Sequence, residues 1–350
     1  MVAPQPSPIA TLFPGYFALV MATGIVAVAS DQQNLDLLAE ALYVITATAY
    51  IILAILLATR MIRYWSNFTA DATNHAKGFA FLTTVAATNV LASATIVIHG
   101  WWELAWVLWW ISLALWVTFV YTTLIAVVID RDKPGLQGGI NGSWFLLTVS
   151  TQSIAVVAGL FLTRTDSDAL AFTAIAAFTL GIVLYLIVMT MVFLRWTFHP
   201  LDPTEADPPA WIAAGAVAIT VLAGSNILLA ADRAPERIAR LAPFIEGLVV
   251  MAWATATFWF PLMIAIGIWR HLVRRVRLRY HPSYWAMVFP LGMYGAATYR
   301  MRGAIDLDAL AWLPKAELTV SLVAWTITFG GLLRSLVAPA RARARAEPSL

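Results

Sequence analysis

Trp106-Val107-Leu108-Trp109-Trp110 opens residues 104–129, a stretch with no Asp, Glu, Lys or Arg. As a helix it would run about 39 Å at 1.5 Å per residue. The hydrocarbon of a bilayer is about 30 Å thick, so a stretch this long and this apolar reads as a membrane span. Nine other runs share its character, at residues 12–30, 41–59, 78–99, 143–163, 169–194, 208–231, 247–269, 281–299 and 318–331. The last is short, but Glu317 and Arg334 at its ends can snorkel.

Composition agrees. The chain is 61% hydrophobic and 12% charged, where soluble domains run about 45–50% apolar and 25% charged. An all-α polytopic membrane protein follows, with ten transmembrane helices in one domain over residues 1–350. The N-terminus lacks the basic stretch of a cleavable signal, so the first run is kept as a helix. With no cysteine, disulfides, iron–sulfur clusters and thiolate-held zinc are excluded. His75, His99, His199, His271 and His281 lie in loops or at span ends without a second ligand at helical spacing, so no metal site is expected. No cofactor and no nucleic-acid partner is expected either.

If ten helices alternate across the membrane, the even loops and both tails collect 15 of the 22 Lys and Arg, and the odd loops 7. The positive-inside rule then places both termini in the cytoplasm of a cell with a plasma membrane. Residues 340–350 form a short basic tail suited to anionic lipid headgroups.

Aromatic residues recur where the odd runs begin. Phe17, Phe81, Phe145, Trp211 and Trp285 are separated by 64, 64, 66 and 74 residues. That spacing suggests a helical hairpin repeated five times, although an interfacial aromatic belt would also put rings there. The odd runs carry the breakers (Pro14, Gly24, Gly215, Gly224, Pro290, Gly292, Gly295) and the amides Asn89, Gln152 and Asn226, the last beside Ser225. The even runs read as plain Leu, Ile, Val and Trp. Polar, kinked helices belong inside and apolar ones against lipid, which predicts five inner helices around a central pore and five outer ones. Asn89, Gln152, Ser225 and Asn226 are pore-lining candidates, with interhelical hydrogen bonding as the competing role. The residue four past each aromatic gives a common level: Met21, Val85, Val149, Gly215 and Phe289. No carboxylate lies deep in a span, which suits a path for anions.

Phe13-Pro14-Gly15-Tyr16-Phe17 with Val20-Met21-Ala22-Thr23-Gly24, and Tyr284-Trp285-Ala286-Met287-Val288-Phe289-Pro290-Leu291-Gly292, resemble the first- and ninth-helix motifs of the tellurite-resistance/dicarboxylate transporter family. Ala22 departs from the glycine that many members have there. The resemblance implies five helical hairpins around a pore, a homotrimer, and transport of a small anion (C4-dicarboxylate, sulfite, tellurite or an inorganic anion). It also implies a phenylalanine plug at Phe289. Pro290 would bend the helix there and hold the ring across the lumen, and with no nucleophile beside a base no enzymatic activity is expected. A membrane-embedded enzyme acting on lipid and a non-transporting scaffold are the alternatives.

Overall fold

The computed structural model describes residues 7–203, 208–231 and 236–346. The basic tail reaches beyond them: the backbone is helical to Ala346, while side chains from 338 on and residues 347–350 lie outside the described set. Among the described residues there is no β-strand.

Ten long helices succeed one another: α1 (Ala18–Asp31), α2 (Asp36–Arg63), α3 (Thr83–His99), α4 (Trp102–Ile129), α5 (Leu146–Phe161), α6 (Asp168–Phe198), α7 (Ile212–Leu229), α8 (Glu236–Ile268), α9 (Trp285–Ala304) and α10 (Leu313–Ala346). Among the described residues, nine helices are long and apolar enough to cross a membrane. The expectation from sequence was ten, and α9 is the one that falls short. Its 20 residues include Tyr294, Tyr299, Arg300 and Arg302, which lower its apolarity. The apolar run at 318–331 sits inside a much longer helix, so its shortness vanishes. Breakers are not confined to odd helices either, since α8 carries Pro243 and Pro261.

Burial divides the helices. The apolar windows of α1, α3, α5 and α7 are 89–94% buried, and those of α2, α4, α6, α8 and α10 only 11–33%. Helix α9 is buried along most of residues 285–298. The buried helices pack in a cycle, α1 on α3, α3 on α5, α5 on α7, α7 on α9 and α9 back on α1. Each also packs along the exposed helix that follows it in sequence.

Every buried helix starts the same way. A short 3-10 turn precedes it, at Pro14–Phe17, Gly78–Leu82, Gly142–Phe145, Pro208–Trp211 and Pro282–Tyr284. The first residues of these turns are separated by 64, 64, 66 and 74 residues, the same steps as the aromatic markers. Proline suits a helix start because it lacks the N–H that would be orphaned there. Glycine serves where the turn touches another backbone: a methyl group on Gly142 would lie 2.1 Å from the Pro209 carbonyl oxygen.

The markers are not an interfacial belt. Phe17, Phe81, Phe145 and Trp285 are 0–5% exposed. Phe17 meets Tyr50 of α2, Phe81 stacks on Phe119 of α4, Phe145 meets Tyr185 of α6 and Trp211 meets Phe260 of α8. These four fill seams between buried and exposed helices, and Trp285 donates to Tyr280 just before its own helix. The residue four further on lies within about 40° of the same helix face.

Indole and phenol groups tie exposed helices to threonines of the next buried one. Tyr50 bonds Thr88, Trp116 donates to Thr151, Trp253 to Thr298, and Trp325 of α10 to Thr23 of α1. The last bond joins residues 302 apart in sequence and fastens the end of the chain to its start. Such bonds average about 0.6 kcal/mol each in membranes, so they set register more than they supply stability.

Candidate functional site

Among the described residues, the buried helices line a cavity at each end. Where they begin lies a void of about 30 Å³, with Met21, Thr83, Leu146, Ile212 and Phe289 in its wall. Where they finish lies a cavity of about 320 Å³ whose wall includes Val28, Asn89, Ser153, Asn226 and Arg300. Each cavity therefore takes residues from all five buried helices. Positions 21, 85, 149, 215 and 289 are all buried. In each helix, that position is at or past the last residue lining the small void and before the first lining the large cavity.

Phe289 is 1% exposed and packs on α7 at Gly215. A methyl group on Gly215 would sit 2.8 Å from Pro290 Cγ and 3.3 Å from the Phe289 ring. The glycine thus lets the ring and the proline lie against the neighbouring backbone. Helix α9 continues unbroken through Pro290. Met293, one turn beyond Phe289, faces the large cavity.

The polar residues singled out from sequence divide. Asn89 lines the large cavity, donates Nδ2 to Ser153 Oγ at 2.9 Å and accepts from Ser112 Oγ of α4 at 2.7 Å. Asn226 lines it too, donating Nδ2 to the Val156 carbonyl at 3.1 Å. Gln152 is in neither cavity wall. Its Nε2 donates to the Phe178 carbonyl of α6 at 2.9 Å, under Gly181, so it serves as interhelical glue. Ser225 Oγ is buried with no hydrogen-bond partner among the described residues, and it lines neither cavity. Val85 and Val149 are fully buried between the cavities.

Arg300, which the charge pattern assigns to a loop, is in the large cavity's wall. Its Nε donates to Asn226 Oδ1 at 2.9 Å. The available signal was length: a helix of 20 residues starting at the Trp285 marker ends beyond residue 300. Two histidines lie near one carboxylate each, His75 by Asp130 at 3.6 Å and His99 by Glu40 at 3.5 Å. Among the described residues, no three metal-ligating side chains cluster.

A cycle of helices with a cavity at each end has the form of a path interrupted in its middle. Residues 11–333 match the voltage-dependent anion channel family. The chain belongs to that family. An uncharacterized membrane protein of Mycobacterium tuberculosis (strain ATCC 25618 / H37Rv) is 43% identical over 155 residues, which is 44% of this chain and 78% of that protein. An uncharacterized transporter of Methanocaldococcus jannaschii is 23% identical over 327 residues, 90% of each chain. A sulfite efflux pump of Trichophyton rubrum is 23% identical over 319 residues, 84% of this chain and 82% of that one. The voltage-dependent anion channel family comprises channels and transporters for anions, not enzymes. The lipid-enzyme alternative is therefore set aside.

Proposed function

We propose that this chain passes small anions across the plasma membrane through the cycle of five buried helices, and that Phe289 closes the path. One observation carries the reading: two cavities, each lined by all five buried helices, are separated by a packed layer at the level of Phe289. An aromatic ring in a narrow apolar neck blocks hydrated ions by bulk and by dewetting. Here Met21, Val85, Val149 and Gly215 form the rest of that neck. Asn89 and Asn226 face the wider chamber, and Gln152 acts in a helix contact. Helix α9 serves as the tenth span despite its polar end, in five hairpins with outer helices against lipid. The 15-to-7 division of Lys and Arg supports cytoplasmic termini. A homotrimer, and a substrate among C4-dicarboxylates, sulfite, tellurite and inorganic anions, rest on the sequence resemblance.

The test is anion flux into liposomes, measured for chloride, nitrate, sulfite and malate with and without a pH gradient. Phe289→Ala is expected to raise flux about tenfold or more, with folded yield near that of the parent. The lipid-facing control Val107→Ala should match the parent. If Phe289→Ala folds normally and passes no more of any anion than the parent, Phe289 is not the gate. A packing role predicts instead a loss of about 3–5 kcal/mol and a falling yield.

A further inference from the structure

Every other polar group followed so far in the large cavity is already committed. Asn89 is fixed on both sides by Ser112 and Ser153. Asn226 donates through Nδ2 to Val156 and accepts at Oδ1 from Arg300, so its amide orientation is determined by its partners. That bond consumes the Nε edge of Arg300 and fixes the plane of the guanidinium. Among the described residues, the Asn226 bond is the one hydrogen bond of Arg300, and no carboxylate lies within ion-pairing distance. Asp31, in the wall of the same chamber, is not bonded to it. Arg302, two residues on, makes the contrast: its Nη2 is paired with Asp308 at 3.2 Å.

A guanidinium held at Nε presents Nη1 and Nη2 side by side. That edge matches two oxygens of one anion, giving two parallel charge-assisted hydrogen bonds. A halide meets it at a single point. The chamber, at about 320 Å³, has room for a small oxyanion with part of its water. We infer that Arg300, positioned by Asn226, is a binding site for a small oxyanion, carboxylate or sulfur oxyanion, that presents two oxygens to the end of the guanidinium. The site deepens the anion-path reading, on which it rests: it fixes the class of anion held in the wide chamber, while the neck at Phe289 controls passage.

The test is calorimetric titration of the purified full chain in detergent with sodium sulfite, repeated with sodium chloride. The parent should bind sulfite more tightly than chloride. Arg300→Lys keeps the charge and loses the fork, so sulfite affinity should fall about tenfold while chloride binding stays near the parental value. Arg300→Gln should weaken both. Asn226→Leu removes the positioning group and should weaken sulfite more than chloride. Lys315→Gln deletes an exposed charge next to the same end of the molecule and should bind as the parent does. Melting curves identify any variant that fails to fold, and Arg300→Lys still decides if Arg300→Gln does. Parental sulfite affinity in Arg300→Lys, or no sulfite binding in the parent, overturns the site. Neither outcome depends on the gate, because binding is read without flux. The Phe289→Ala test, run with chloride, does not require the fork.

Discussion

Arg60 and Arg300 occupy opposite ends of the buried bundle, and their surroundings differ. Arg60 is 1% exposed and ion-paired: Nη1 donates to the Leu12 carbonyl at 2.9 Å, and Nη2 reaches the Asn67 carbonyl and the Asp71 carboxylate. Lys77 holds the other oxygen of Asp71 at 2.8 Å. This cluster clasps the start of α1 to the link between α2 and α3, beside the small void. Arg300 has one neutral partner and faces a chamber ten times larger. The first arginine is a fastener, because its charge is neutralised within the fold. The second keeps its charge available to whatever enters, since no carboxylate among the described residues pairs with it.

The largest expected effect tests that distinction. Arg60→Gln leaves Asp71 with Lys77 alone and takes the guanidinium from the Leu12 and Asn67 carbonyls, and should cost about 3 kcal/mol. Arg300→Gln leaves no charge orphaned and should melt close to the parent. Equal losses of melting temperature in the two variants would erase the comparison. A second, smaller effect contrasts packing at the two ends. Gly215→Ala forces a methyl group against Pro290 and Phe289 and should cost about 1–3 kcal/mol. Gly303→Ala, on the same end as Arg300, meets nothing within 4 Å and should be neutral or stabilising through helix propensity. Thermal unfolding of both variants checks this. The smallest effect is acid sensitivity. Burial pushes the Asp71 carboxyl up, but hydrogen bonds from Lys77 and Arg60 outweigh it and hold its pKa below the ordinary 3.8. A depressed folded pKa gives stability that is present above the unfolded value and lost as pH falls through the folded one. Melting temperature should therefore drop below about pH 4 in the parent, and less steeply in Asp71→Asn, which has already lost the pair.

These arginines also mark where reading the chain succeeds and where it stops. Membrane helices, their order and the fivefold recurrence were legible, because apolar length and spacing are properties of the chain. The buried character of the odd helices was legible in their glycines and amides. The turn starts at Pro14, Gly78, Gly142, Pro208 and Pro282 were equally available as a pattern, hidden only by alternating between two residue types. Arg60 and Arg300 were indistinguishable from loop charges that orient the protein in the bilayer. What surrounds a charge is set by segments far away in sequence, Leu12 and Asp71 for one and Asn226 for the other.

The sequence by itself determined that this protein is a bundle of membrane helices with a polar, glycine-containing inner set. Hydrocarbon tolerates only segments that satisfy their own backbone hydrogen bonds, and apolar length declares them. Only the tertiary structure decided which way each inner side chain points. A helix buried on all sides has no amphipathic stripe to reveal its facing, so Asn89 and Gln152 looked alike. Packing turned Gln152 outward to the Phe178 carbonyl and set Asn89 in the chamber wall. It also brought Phe289 against Gly215, and set Arg300 in the chamber wall, because rotation about each helix axis is fixed by its neighbours.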